Sequence, residues 1–210
     1  MFTHSKRQRP KIERRQNVSP IRLSMIGFRA IMAYGTLYLI AGPVGSGKQA
    51  LVDAVIENRP DIRRAPLIVS AQNSANGCVV GSISPERFLY LMRRDTFALQ
   101  WDSEGIRYGL THDATRQLRD GQSLILYCDT FIIDKARELY PDVRPVYITA
   151  RMDVLRRRLT SMAYGSDAEI DMHLAQSDRM RPRDDTILTV DTSDSIAAGT
   201  RALMAAFPAA

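Results

Sequence analysis

Cysteine is nearly absent from this chain of 210 residues: Cys78 and Cys128 stand far apart and sit in no paired redox or metal spacing. That excludes a disulfide scaffold and a cysteine-based zinc site, and reduced, mostly buried thiols are expected. Histidine is as sparse, with His4, His112 and His173 scattered along the chain. No uncharged apolar run approaches the roughly 20 residues of a membrane span, and the opening residues lack the apolar centre of a secretory signal. No membrane partner is implied, and the chain is expected in the cytoplasm. Internal repeats and low-complexity blocks are absent too.

Acidic side chains are what the first thirty residues lack. Lys6, Arg7, Arg9, Lys11, Arg14, Arg15, Arg22 and Arg29 face only Glu13, while the rest of the chain is close to neutral, so the formal charge of +6 belongs to this tail. The body therefore gives no electrostatic ground for nucleic-acid binding. Residues 1–31 show no sustained apolar period and read as a basic, disordered extension. They could touch nucleic acid or an anionic membrane surface, or form an organellar transit segment. A start-site extension, with translation from Met25 or Met32, is the favoured reading.

What is present is concentrated in one stretch. Leu37-Tyr38-Leu39-Ile40-Ala41 is an apolar run; Gly42-Pro43-Val44-Gly45-Ser46-Gly47-Lys48 is a glycine-rich turn; Gln49 to Ile56 continues at helical spacing. Strand, loop and helix in this order are the context of a phosphate-binding loop. Glycines at 42, 45 and 47 can take φ > 0, so backbone N–H groups can converge on phosphate oxygens at the positive end of the helix. Lys48 would place its charge on the β and γ phosphates. The position after the lysine usually holds a hydroxyl that binds Mg²⁺; here it is Gln49, whose carbonyl is a longer ligand arm.

Residues 32–210 have the size of a single domain. Short apolar strands alternate with amphipathic helices: a strand over Pro66–Ser70, a helix from Ser84-Pro85-Glu86, a hairpin of Phe97–Trp101 and Ile106–Leu110, and a helix over His112–Leu118. Strands at Ser123–Cys128, Pro145–Ala150 and Thr186–Asp191 alternate with helices at Phe131–Tyr140, Asp153–Met162, Asp167 to about Met180, and from Ser195. This rhythm predicts an α/β fold with a parallel sheet covered by helices on both faces, interrupted by an excursion over 71–110. Ligands of such sheets sit beyond the carboxyl ends of the strands, which picks out Ser70, Ala71, Asp129, Thr130 and Arg151.

The order of motifs resembles the guanylate-kinase-like enzymes and, within them, the ribose 1,5-bisphosphate phosphokinases of phosphonate catabolism, as a divergent member. The resemblance runs from about Gly35 to Phe207. It rests on the loop at 42–48, on Ser84-Pro85-Glu86-Arg87-Phe88 with Phe97-Ala98-Leu99-Gln100-Trp101, on Gly105-Ile106-Arg107-Tyr108-Gly109, and on Val154-Leu155-Arg156-Arg157-Arg158-Leu159 followed by Ala168-Glu169-Ile170. It implies a three-layer P-loop kinase fold with an acceptor-side hairpin segment and a helical lid at 151–180. It further implies ATP- and Mg²⁺-dependent phosphorylation of ribose 1,5-bisphosphate, giving 5-phosphoribosyl 1-diphosphate and ADP. Lys48, the lid arginine Arg158 and Asp129 would be catalytic, Arg107, Tyr108 and Gly109 would face the acceptor, and Gln49 and Asp129 would approach the metal. Several family cations are replaced, by Ser70-Ala71-Gln72, Tyr127-Cys128-Asp129-Thr130, Met162-Ala163-Tyr164-Gly165 and His173.

Two other readings stay open: a catalytically weak nucleotide-binding regulatory or assembly module, and a kinase for another small phosphorylated acceptor. Asp129 reads equally as a helix N-cap, Trp101 and Tyr108 read as hairpin packing, and Glu104 reads as a turn residue. Asp191 could lie near the adenine or cap the last helix. Oligomeric state, a homodimer included, is not fixed by the sequence.

Overall fold

The computed structural model describes residues 34–71 and 81–207, all within the unit Met32–Ala210. The basic extension with its alternative starts, residues 72–80 of the excursion, and Cys78 lie outside the described residues. In chain order the elements are β1 (Leu37–Ala41), α1 (Lys48–Asn58), β2 (Ile62–Arg64), β3 (Leu67–Val69), β4 (Gly81–Ser82), α2 (Pro85–Arg93), β5 (Phe97–Ser103), β6 (Ile106–Thr111) and α3 (His112–Arg119). Then follow β7 (Ser123–Tyr127), a 3-10 turn (Thr130–Ile132), α4 (Ile133–Leu139), β8 (Val143–Thr149), α5 (Met152–Ser161), α6 (Asp167–Arg179), β9 (Leu188–Asp191) and α7 (Ile196–Ala206).

Five strands form a central parallel sheet in the order β2-β7-β1-β8-β9. Alternation along β1 explains its two faces. Leu37 and Leu39, with Leu124 and Leu126, pack on Ala114, Leu118, Ile133 and Ala136 of α3 and α4. Tyr38 and Ile40, with Ile125, pack on Leu51, Val52 and Val55 of α1 and on Leu203 and Phe207 at the chain's far end. The expected cover of helices on both sides is thus present. No described helix is long and apolar enough to cross a membrane.

One strand assignment is corrected. The expected strand over Pro66–Ser70 does not join the central sheet; Ile62–Arg64 occupies that edge, in register with Ser123–Ile125, and β3 joins a second sheet of order β4-β3-β6-β5. The change of sheet falls at Pro66. The Ala65 amide still donates to Ile125 O at 2.8 Å, but proline has no N–H with which to continue the ladder. The hairpin β5–β6 is therefore the outer half of a four-stranded sheet. Its Trp101 and Tyr108 rings stack, with centroids 5.2 Å apart and planes 10° apart, as the packing reading predicts.

Helix starts follow their caps. Ser84 accepts from the Arg87 amide and Ser195 from the Ala198 amide, while Ser166 and Glu169 form a reciprocal capping box at α6. Helices α5 and α6 share a small core of their own, Ala150, Val154, Leu155, Leu159, Ile170 and Leu174, and Arg156 pairs with Asp171 between them. Cys128 packs against the main core, and burial beside Asp129 pushes its thiol up, so it stays protonated.

Candidate active site at the phosphate loop

At the carboxyl end of β1 the chain turns through Gly42 (φ 139°), Gly45 (φ 82°) and Gly47 (φ 85°) before α1 begins at Lys48. Gly42 is demanded by space as well as by φ. A Cβ on Gly42 would stand 2.0 Å from Ile148 O, and one on Gly47 would stand 2.4 Å from Ile196 Cδ1. Val44 is exposed and Pro43 buried. Lys48 folds back over the loop, its ammonium donating to the carbonyls of Gly42 and Pro43 at 2.7 Å each. Ser46 is fully buried, and its hydroxyl has no hydrogen-bond partner among the described residues. A buried unpaired hydroxyl is costly, and an anion at the loop would supply the missing acceptor.

The loop is clamped from outside. Arg158 of α5 donates to Gly45 O at 3.1 Å, to Thr192 Oγ1 at 2.9 Å and to Thr192 O at 2.7 Å. Thr192, wholly buried just after β9, bonds through its hydroxyl to Ser46 O at 2.9 Å and lies 3.1 Å from Thr149 O. Arg158 thus rests on one loop carbonyl, that of Gly45, and on Thr192. Its neighbours are engaged as well: Arg156 with Asp171, Arg157 with Asp153. The Arg151 amide donates to Ser193 Oγ at 2.7 Å, and its guanidinium lies 3.4 Å from Asp153.

Asp129 stands at the carboxyl end of β7. It precedes the 3-10 turn, yet its side chain makes no cap hydrogen bond, so the cap reading is not realised. Gln49 is exposed in the first turn of α1. No three His, Cys, Asp or Glu side chains converge as a metal cage among the described residues. Asp129 and Gln49 beside a phosphate-binding loop nevertheless fit Mg²⁺, which keeps several waters and takes one or two carboxylates together with phosphate oxygens.

Across from the loop, Arg107 pairs with Asp102 at 3.2 Å, and its amide donates to Ser70 Oγ at 2.8 Å. Gly109 is buried, and a Cβ there would meet the Phe97 ring at 2.4 Å. Its lack of a side chain therefore serves the packing of β5 on β6. Burial pushes the Tyr108 phenol up, with Asp129 and then Glu104 adding to the effect. Burial likewise raises Tyr164, again with Glu104 contributing. His173 is pushed down by burial, opposed by Glu104 and reinforced by Lys48.

His173 Nδ1 lies 3.4 Å from Tyr164 Oη, and its Nε2 is buried without a partner among the described residues. Sequence reasoning singles out Tyr164 and His173 only as replacements of family cations and Glu104 only as a turn residue, and it misses Thr192, which bonds to the loop. Glu104 sits at a hairpin tip with φ 49°, which reads locally as a turn and nothing more. Asp191 accepts from the Ser193 amide at 2.7 Å, while Ser195 caps α7.

A scan against protein-family models finds no match. The ribose 1,5-bisphosphate phosphokinase PhnN of Azotobacter vinelandii is 31% identical over 172 residues, covering 81% of this chain and 94% of its own. That of Rhodopseudomonas palustris is 33% identical over 151 residues, covering 70% and 77%. Among solved structures, guanylate kinase from Anaplasma phagocytophilum superposes with a TM-score of 0.53 at 18% identity, covering 82% of this chain and 84% of that one. The solved structure supports the P-loop kinase fold alone. The loop and strand order agree with it, and with relatives this similar over most of both chains, the protein belongs to the ribose 1,5-bisphosphate phosphokinase family.

Proposed function

We propose that this chain transfers the γ-phosphoryl group of ATP to the 1-phosphate of ribose 1,5-bisphosphate, giving 5-phosphoribosyl 1-diphosphate and ADP in phosphonate catabolism. The observation that carries the reading is the glycine loop closed by Lys48 at the carboxyl end of β1, in a chain of this family. An oxygen of the acceptor phosphate bonds to the γ-phosphorus, and the bond from that phosphorus to the β,γ-bridging oxygen breaks. The acceptor is already an anion, so no strong general base is needed, and catalysis is positioning plus charge neutralisation.

In this reading the amides of residues 42–48 hold the triphosphate. Lys48 exchanges the carbonyls of Gly42 and Pro43 for phosphate oxygens, and Ser46 Oγ gains its partner. Arg107 and Tyr108 face the acceptor, and Glu104, Tyr164 and His173 close the space from the hairpin and the lid. Asp129 and Gln49 would hold Mg²⁺, which supplies positive charge to the β and γ oxygens. Substrates of this class place the reaction in the cytoplasm.

A second reading is a nucleotide-binding module with weak turnover, or a kinase for a less anionic acceptor. The observation favouring it is that the arginines of α5 are engaged by protein partners, while carboxylates of Glu104 and Asp129 border the acceptor side. A coupled assay of ADP release separates these readings. Turnover with ribose 1,5-bisphosphate that falls about 10²–10³-fold in Lys48→Ala is expected for loss of one transition-state charge contact. Binding of ATP with no turnover on that acceptor supports the second reading.

A further inference from the structure

Thr192 has no charge, no exposure and no place in a phosphate-binding motif, yet its hydroxyl bonds to the backbone of the loop at Ser46 O. Its hydroxyl accepts from Arg158 Nη1 at 2.9 Å and donates toward Ser46 O at 2.9 Å, with Thr149 O at 3.1 Å as the alternative acceptor. A hydroxyl has one proton, so it serves one of these carbonyls at a time. Its amide separately donates to Thr149 O at 2.8 Å, which fixes Thr192 to the end of β8. Helix α7 is built to seat it. A Cβ on Gly199 would stand 2.8 Å from Thr192 Cγ2, so only glycine leaves room there.

We infer that Thr192 and Arg158 are positioning residues for ATP, setting the peptide planes of the phosphate loop from outside by holding the carbonyls of Gly45 and Ser46. The physical step is simple. In a trans peptide the carbonyl and the following N–H point in opposite directions, and the described chain has no cis peptide. Holding Gly45 O against Arg158 turns the Ser46 amide inward, where it meets Pro43 O at 3.3 Å. Holding Ser46 O against Thr192 turns the Gly47 amide the same way.

Glycine-rich loops are floppy by composition, and two amides fixed in advance lower the ordering cost of binding an anion. The brace also joins the loop to α5 and to the segment before α7. The order of the loop is thereby tied to the two elements that flank it.

This inference rests on the proposed use of ATP, and its test separates the two. Calorimetric titration of a non-hydrolysable ATP analogue with Mg²⁺ is run on the full chain, on Thr192→Val, which keeps the shape and removes the hydroxyl, and on Thr192→Ser, which keeps the hydroxyl. Kinetics for ATP and for the acceptor are measured on the same proteins. Thr192→Val should weaken the analogue and raise KM for ATP about tenfold, the size of one or two lost hydrogen bonds. KM for ribose 1,5-bisphosphate should stay within about twofold. Thr192→Ser should restore ATP binding, which a purely packing role for the methyl group would not do.

Arg158→Met combined with Thr192→Val should weaken the analogue by less than the product of the two single losses, since the two side chains bond to each other and brace adjoining peptides. Equal analogue affinity in Thr192→Val and the unaltered chain, failure of rescue by Thr192→Ser, or additive losses in the double variant would each overturn the brace. If Thr192→Val does not fold, the pair Thr192→Ser and Arg158→Met decides: a tenfold weaker analogue in Arg158→Met with Thr192→Ser unaffected supports it, and no change in Arg158→Met overturns it. Absence of analogue binding by the unaltered chain would overturn the proposed function and this inference together.

Discussion

Three consecutive arginines on α5 have three different fates. Arg156 reaches Asp171 on α6, Arg157 reaches Asp153 one turn back, and Arg158 reaches the phosphate loop. Helical geometry forbids a common direction for the three, and that much is legible in the sequence. Which one meets the loop is not, because the deciding partner, Thr192, lies far along the chain on another element. The loop itself is legible residue by residue, since positive φ at 42 and 47, and close backbone approach at 42, leave little but glycine there. The resemblance implies that Gly109 faces the acceptor, and the adjoining Phe97 ring leaves no room for a Cβ at this position. Gly109→Ala should therefore lower stability by about 1–3 kcal/mol through overpacking, read from thermal or urea unfolding; unchanged stability would show that the ring has room to move.

His173 gives a residue-scale prediction in pH. Burial lowers its affinity for a proton, and of the charged groups bearing on it Glu104 opposes this while Lys48 reinforces it, with Tyr164 against its ring. The folded chain then binds that proton less readily than the unfolded chain, whose histidine titrates near the ordinary value of about 6.5. Its contribution to stability is complete above that value and is lost as pH falls through the lower folded value. A His173→Gln variant should show a flatter dependence of Tm on pH between about 7 and 5 than the unaltered chain; an identical slope would contradict the burial of this imidazole.

At the scale of elements, most helices and strands were legible because their signals are local. Ser84 followed by Pro85 starts α2 as its cap predicts, and alternation along β1 matches its two packed faces. β2 was missed because Arg63 and Arg64 occupy two of its three positions, with Arg64 turned to Asp53 on α1, so no apolar period survives. The sheet change at Pro66 depends on which strand lies alongside, information that no local window holds. The lid pair α5–α6 keeps its own small core, and α6 relies on the box made by Ser166 and Glu169. Ser166→Ala should cost about 1 kcal/mol. It should speed amide hydrogen exchange in α6 while leaving α1 unaffected; equal change in both helices would mean that the lid does not open on its own.

At the scale of the whole molecule, the family was legible in the order and spacing of several weak motifs around one strong one, and relatives similar over most of both chains bear it out. The acceptor side was less legible. The residues proposed for it, Glu104, Tyr108, Asp129, Tyr164 and His173, come from the hairpin, the segment after β7 and the lid, so no local spacing in the sequence joins them.

On the proposed function, the phosphoryl group held at the loop leaves ATP for a sugar phosphate and not for water. Phosphorus-31 NMR of the chain with ATP, Mg²⁺ and ribose 1,5-bisphosphate tests this directly. A coupled pair of diphosphate resonances on the sugar, growing in step with ADP and absent in Lys48→Ala, is the predicted result. ADP accompanied only by orthophosphate, or unchanged ATP beside intact ribose 1,5-bisphosphate, would contradict it.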